Sequence, residues 1–501
     1  MATERDDIAA RGSERLWTSD RIFKRWQRFR EQKITGKALR RIEFTEHIAF
    51  LLFLKLDHER AQRTGTFARP AVAPAGAWPQ LVDASGDALH RALGRLMADL
   101  GAPNPTDPRR TTASVVFQDA QPWNVDRMAE LGRLITEEFN PYRWSNVPRD
   151  ELGGAFALLL ADCRDDLRTK RDTGQFLTPP PLLAVVAKAL GLTPGDKVVD
   201  AAVGIGTSLI AAYREMAAHG ERVDASAIAG ADIDVQMCRL ATMNVLLNTG
   251  RPFHDVPPIL RADSLKARED VVRRHERSVD ATVVICNPPF KSDVAADTQQ
   301  RDDFWAQNAI LPANFLQHLA ITLPRGARAA VFVPDGVLSH DSRAAAAIRR
   351  ALLMNCNVHT LLRLPTGMFY DTGSKSNILF FTKSADPQRP GDIATRELGV
   401  FDLRDRHYTD TRNPLAEADF EEFLTTYRLR AEGQPVESEP QCFRRYDVGE
   451  ILRTPTAGLA LNGRAATLLD DHGDPRDIAK SIVRHLGEAQ KSFQAVVDSL
   501  N

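Results

Sequence analysis

Two hydrophobic textures divide the chain. Up to about residue 170, apolar residues recur at helical spacing. From about 175, short runs of Val, Ile and Ala alternate with helical stretches. In residues 21–41 (RIFKRWQRFREQKITGKALRR), Ile22, Trp26, Phe29 and Ile34 predict an amphipathic helix. Residues 44–60 (FTEHIAFLLFLKLDHER) predict an apolar helix bound for a core. Residues 67–79 (FARPAVAPAGAWP) read as a loop, and ALHRALGRLMADL at 88–100 as helix again. No repeat of 20–50 residues stands out.

Downstream, five runs read as strands: KVVDAA near 197–202, AIAGADI near 227–233, ATVVICN at 281–287, RAAVFVP at 328–334 and NILFFTK at 377–383. Strands alternating with helices predict an α/β fold with a mainly parallel sheet. Such sheets bind ligands beyond the C-terminal ends of their strands. After residue 383 the sequence reads as loop and then as one helix. There Ile482, Leu486, Ala489, Phe493, Val496 and Leu500 alternate four and three apart, a stripe suited to a partner helix or to its own domain.

The 501 residues imply several domains. With 43% apolar and 26% charged residues, 30 glycines and 29 prolines, collagen-like and wholly disordered readings fail. No apolar run approaches the ~18 residues of a membrane span. The charged start, MATERDDIAARGSERLW, does not read as a secretory signal. Lys plus Arg number 65 against 66 Asp plus Glu, so DNA binding would need a local basic patch or a partner. Residues 21–41, with nine Lys/Arg against one Glu, offer such a patch or simply a solvated face. Five cysteines (163, 238, 286, 356, 442) without a CxxC pair argue against a metal site or disulfides, and for a reducing cytoplasm.

Four motifs carry candidate chemistry. VVDAAVGIGTSL holds Asp200, Gly204 and Gly206 in a strand–turn–helix. It is not GxGxxG, because Leu209 stands where the third glycine would, so a ligand without a pyrophosphate is favoured. GADID at 230–234 ends the next strand. Its Asp232 is placed to accept from both ribose hydroxyls, or else it and Asp234 cap a helix. In ADSL at 262–265, Asp263 suits an adenine amino group, and capping by Asp263 or Ser264 fits equally. In ICNPPF at 285–290, two prolines remove two N–H donors. The Pro288 carbonyl and the Asn287 side-chain oxygen are then acceptors for an aromatic exocyclic amine. Phe290 is a stacking face for a base swung out of a duplex.

These blocks, in this order, resemble amino-group DNA methyltransferases, and specifically the modification (M) subunit of type I restriction–modification systems. TGQFLTP at 173–179 resembles the block with which the family holds the methionine end of S-adenosylmethionine. DAAVGIGTSL at 200–209 resembles its DPACGTGGFL, with Ala201, Val203 and Thr207 as departures. GADID resembles GxEID, RLATMNVLLNTG at 239–250 the helix that follows, and NPPF matches unchanged. Residues 331–383, with LPTGMFYDTG, resemble the family throughout, and FLLFLKLDHE its helical domain more loosely. The order resembles the gamma class.

The resemblance implies a Rossmann-like S-adenosylmethionine-dependent core with an N-terminal helical domain and a C-terminal helical tail. The expected division is 1–165 helical (DNA or partner contacts), 166–400 catalytic, 401–465 extension and 466–501 a helix for subunit association. It implies adenine-specific DNA methylation, with Asn287, Pro288, Pro289 and Phe290 catalytic. S-adenosylmethionine would be held by Gly174, Gln175, Phe176, Leu177, Thr178, Pro179, Asp200, Gly204, Ile205, Gly206, Thr207, Asp232, Ile233, Asp263 and Ser264. Phe369 and Tyr370 would enclose the flipped base or pack in the core. The expected partners are DNA and a specificity (S) subunit, with room for a second copy of the chain and a restriction (R) subunit. Three rivals stay open: cytosine-N4 methylation, a protein or ribosomal-RNA methyltransferase, and a non-catalytic cofactor-binding scaffold of a defence complex.

Overall fold

The computed structural model describes residues 17–34, 39–63, 71–103, 111–164, 166, 178–252, 256–266, 281–290, 301–307, 310–365, 375–384, 393–406, 408, 414–434 and 440–461. Before the first strand, the described residues form helices: α1 (Ser19–Lys33), α2 (Arg41–Ala61), α3 (Ala77–Asp83), α4 (Gly86–Gly101), α5 (Thr111–Phe117), α6 (Met128–Arg133) and α7 (Arg149–Asp162). The Thr18 hydroxyl caps α1 by accepting from Arg21 N, and the expected stripe of Ile22, Trp26 and Phe29 is buried. Its basic residues are partly consumed in ion pairs, Arg25 with Glu138 and Arg30 with Asp162.

Helix α2 is buried on nearly every face, as an all-round apolar run requires. The polar groups it carries inward are bonded. Asp57 accepts from the amides of Val72 and Ala73, and Glu59 from those of Trp144 and Ser145. Trp144 lies with Trp26 and Phe139 in an aromatic cluster, ring centroids 5.3 and 5.5 Å away. Among the described residues no helix is long and apolar enough to cross a membrane.

The second part of the chain builds one nine-stranded sheet. Its strands are β1 (Val198–Asp200), β2 (Ile228–Asp232), β3 (Ile259–Arg261), β4 (Val283–Cys286), β5 (Arg328–Pro334), β6 (Cys356–Arg363), β7 (Ser376–Lys383), β8 (Glu397–Asp402) and β9 (Phe443–Asp447), in the order 3-2-1-4-5-7-6-8-9. Strands β3, β2, β1, β4 and β5 run parallel. Strand β7, the NILFFTK run, inserts antiparallel between β5 and β6, so the parallel expectation does not extend to it. The sheet is flanked by α8 (Pro180–Ala189), α9 (Thr207–Ala217), α10 (Val235–Thr249), α11 (Leu311–Thr322), α12 (Asp335–Ser339), α13 (Arg343–Asn355), α14 (Glu421–Ala431) and α15 (Val448–Arg453). Separate apolar cores fill its two faces.

The loop-like reading of the region after residue 383 is corrected. Strand β8 pairs parallel to β6 and crosses residue 400, β9 closes the edge antiparallel to β8, and α14 packs on Phe380 and Phe401. The segment that follows is stapled down by arginines. Buried Arg349 donates to the carbonyls of Val337, His340, Thr456 and Ala457, and Arg363 to that of Leu461. The apolar stripe from Ile482 to Leu500 lies outside the described residues.

The helical layer and the sheet meet on α10. Its Met237, Leu240, Met243, Leu246 and Leu247 belong to the helical core, together with Ile205 of the glycine turn. The same helix packs against α2, α5 and α7. The N-terminal helices therefore rest on the element that leaves the site described next.

Candidate active site

Parallel strands β3, β2, β1 and β4 deliver their C-terminal ends side by side, and each ends beside one of the four motifs. After β1 the chain turns through Gly204 (φ +52°) and Gly206 (φ +82°), left-handed values that glycine adopts without a Cβ penalty. A Cβ added at Gly204 would meet no atom of the described residues within 4 Å, so the turn borders open space. The turn is tied to β2. Val203 N donates to Ala231 O at 3.0 Å, and Gly204 N to Asp232 Oδ2 at 2.9 Å. Asp232 Oδ1 accepts from Asp234 N at 2.9 Å, and Asp234 caps α10. The capping alternative thus describes Asp234, while Asp232 stays turned to the glycine loop.

Two buried carboxyls stand in this edge. Burial pushes Asp232 up to about 6, against the opposing pull of the amide hydrogen bonds from Asp234 and Gly204. Burial also pushes Asp200 up to about 6, with the Asp232 charge adding to the rise and hydrogen bonds from Ser208, Ala202 and the Cys286 thiol opposing it. The Asp200 oxygens are engaged by Ala202 N and Ser208 Oγ, so Asp200 braces the turn. Ile233, next to Asp232, is 62% exposed, an apolar side chain left uncovered beside the end of β2.

The third motif is split in role. Asp263 Oδ1 accepts from Leu265 N, the local capping arrangement, while Ser264 Oγ donates to Ala201 O at 2.7 Å and supports the glycine turn from below. Ile205 is buried in the helical core, so its side chain faces away from the open side of the turn. Thr207 begins α9.

The fourth motif carries the sharpest geometry. Strand β4 feeds directly into Asn287, Pro288, Pro289 and Phe290; Pro288 is buried and Phe290 packs partly against the sheet core. Asn287 Nδ2 donates to Thr178 Oγ1 at 2.8 Å. Its Oδ1 is buried and has no hydrogen-bond partner among the described residues. A buried acceptor without a donor costs free energy. Thr178 is itself buried, and with Pro179 it ends the TGQFLTP block; Gly174, Gln175, Phe176 and Leu177 lie outside the described residues, as do Phe369 and Tyr370.

Sequence reasoning missed three contacts: those of Ser208 and Cys286 with Asp200, and that of Thr178 with Asn287. Ser208 was within reach, because a hydroxyl in the first turn of the helix after a glycine turn faces back toward the strand end. No sequence signal joins Thr178 to a residue 109 positions away.

A family model described as N-6 DNA Methylase matches residues 147–451. The chain is 30% identical over 404 residues to the type I restriction enzyme StySPI methylase subunit of Salmonella potsdam, covering 77% of this chain and 72% of that one. It is 30% identical over 380 residues to the EcoKI methylase subunit of Escherichia coli K12, covering 72% and 67%. A solved chain from the complex assembly of a type I R-M system superposes with a TM-score of 0.68 at 22% identity, covering 95% of this chain and 97% of that one. At that identity the superposition speaks for the fold.

Proposed function

The chain belongs to the N-6 DNA methylase family as a modification subunit of the type I restriction kind, an adenine-specific DNA methyltransferase, and we propose that Asn287 and Pro288 present the adenine N6 amine to S-adenosylmethionine. The observation that carries this reading is the buried Asn287 Oδ1 awaiting a donor. An exocyclic amine supplies two N–H donors, one for Asn287 Oδ1 and one for the Pro288 carbonyl. Accepting both bonds pulls the amine toward a pyramidal geometry and localises its lone pair, which strengthens as the transfer proceeds. Neither proline can offer an N–H that would compete with the amine. Phe290 supplies an apolar ring for the base, and the extra proton leaves after transfer.

S-adenosylmethionine supplies an electrophilic methyl group on a sulfonium. The residues present fit it. The open space at Gly204 admits a ligand against the backbone, Asp232 offers acceptors for ribose hydroxyls, and Ile233 offers an uncovered apolar face for a purine. The departures from the family's glycine motif leave that opening clear. Ala201 is buried with its carbonyl bonded to Ser264, Val203 is buried against Gly230, and Thr207 lies within α9.

DNA is the substrate in this reading. A separate specificity subunit reads the sequence, with a second copy of the chain and a restriction subunit as further partners. Replacing Asn287 by Ala tests the site. Methyl transfer to DNA should fall by about 10²–10³-fold, while S-adenosylmethionine affinity stays within about 3-fold. Unchanged transfer in N287A would overturn it.

A further inference from the structure

We propose that Asn244 is a positioning residue for the cofactor: from helix α10 its amide locks the Ile205–Gly206 peptide of the glycine turn in the orientation that S-adenosylmethionine meets. The inference rests on the reading of that turn as the cofactor's seat.

Glycine loosens this stretch of backbone as well as opening it. Gly204 (φ +52°) and Gly206 (φ +82°) flank Ile205, and a peptide next to glycine can turn over at little steric cost. Two contacts hold it. Within the turn, Gly206 N donates to Val203 O at 2.9 Å. From outside it, Asn244 Nδ2 donates to Ile205 O at 2.9 Å, across 39 residues of chain. Asn244 is 1% exposed, so that carbonyl points into packed protein and away from the open space at Gly204. The turn lies close against α10, since a Cβ added at Gly206 would meet Ala241 Cα at 3.4 Å.

The orientation of the Asn244 amide is fixed from both ends of a hydrogen-bond chain. Arg214 Nη2 donates to Asn248 Oδ1 at 3.0 Å, and Asn248 Nδ2 donates to Asn244 Oδ1 at 2.9 Å. A guanidinium has no acceptor and a backbone carbonyl has no donor, so both amides between them are satisfied in one arrangement. Flipping Asn248 would set donor against donor at Arg214. Flipping Asn244 would set acceptor against acceptor at Ile205. Helix α7 closes over the chain, where a Cβ at Gly153 would lie 2.7 Å from Asn248 Cγ.

Asn244 stands behind the turn and acts through its backbone. Without the amide, Ile205 O becomes a buried acceptor that has lost its donor, and the empty turn relaxes by turning the peptide over. Binding must then reverse that change, so affinity falls with the fraction of competent turns. Once bound, the cofactor holds the turn itself, and the chemical step proceeds as before.

The test uses the full chain in the complex purified from its own cells. Calorimetry follows S-adenosylmethionine binding, and tritium incorporation follows methyl transfer to DNA from a strain lacking the gene. Asn244→Leu, close to Asn in shape but without a donor, should raise cofactor Kd by about 5- to 20-fold and leave kcat at saturating cofactor within about 3-fold. Asn248→Ala removes a neighbour of Asn244 on the same helix and spares the bond to Ile205, so cofactor Kd should stay within about 3-fold of the parent. If N244L does not accumulate as folded protein, N244S takes its place. The serine hydroxyl falls short of Ile205 O, so the same rise in Kd is expected. Three results overturn the proposal: the Asn244 variant binds cofactor as tightly as the parent, its loss falls on kcat alone, or N248A loosens the cofactor equally. Failure of the parent complex to bind S-adenosylmethionine would instead sink the reading of the turn itself, a distinct outcome.

Discussion

Arg239, on the helix leaving the Asp232 strand, forms a buried ion pair with Glu46 of the N-terminal helix α2. The same guanidinium donates to the carbonyls of Val116 and Gln118, and Gln236 donates to the other Glu46 oxygen at 2.7 Å. One carboxylate thus joins the helical layer to the start of α10, at Gln236 and Arg239, four and seven residues beyond Asp232.

Breaking this pair from one side should be costly, because it strands a buried cation. Glu46→Ala should lower stability by about 3–5 kcal/mol, read from the urea midpoint. Replacing both partners with apolar residues, as in E46L/R239M, should recover most of that loss. A near-neutral E46A would show that the contact is not buried in solution.

The pH response follows from the two raised carboxyls. Asp200 and Asp232 stand near 6 in the folded chain against an ordinary value of 3.8. Between those values the folded state binds more protons than the unfolded, so their contribution to stability falls as pH rises from about 4 to about 6 and is flat above. Cofactor affinity should run the other way. Only the ionised Asp232 has both oxygens free of protons to accept from ribose hydroxyls, so binding should strengthen as pH rises to about 6 and then level off. Calorimetric titration across that range checks this, and Asp232→Asn should flatten the profile and weaken binding.

Two glycines should respond differently to the same added methyl. At Gly204 a Cβ points into open space at positive φ. Gly204→Ala should cost only about 1–2 kcal/mol of stability from backbone strain, yet weaken cofactor binding, because the methyl occupies the ligand's side of the turn. At Gly230 a Cβ would lie 2.8 Å from Val203 Cγ2 and 3.0 Å from Asp200 O. Gly230→Ala should cost about 1–3 kcal/mol, and V203A should restore only part of it, since the backbone contact remains. Thermal and calorimetric measurements on the two variants separate the effects.

What the sequence disclosed tracks how local each feature is. Strands β1, β2, β4, β5 and β7 were legible as apolar runs, and Asp200, Asp232 and Asn287 stand at or just beyond the ends of the first three, with Gly204 in the turn after β1. Strand β6, CNVHTLLR, escaped because Asn357, His359 and Thr360 break its apolar pattern. Strand β9, FRRYD, is an edge strand whose charged residues face solvent, so it carries little hydrophobic signal. The antiparallel entry of β7 is a matter of topology that no residue pattern encodes. Contacts made at a distance were equally silent: the bond between Thr178 and Asn287 and the ion pair of Glu46 with Arg239 join residues 109 and 193 positions apart.

The most direct test is the chemical identity of the methylated base. The complex is incubated with tritiated S-adenosylmethionine and unmethylated DNA, the DNA is digested to nucleosides, and the label is assigned by chromatography. An Asn287 oxygen and a Pro288 carbonyl arranged around an adenine amine predict label in N6-methyladenine, lost in N287A. Label in 4-methylcytosine, or none in DNA from a complex that binds the cofactor, would contradict the account.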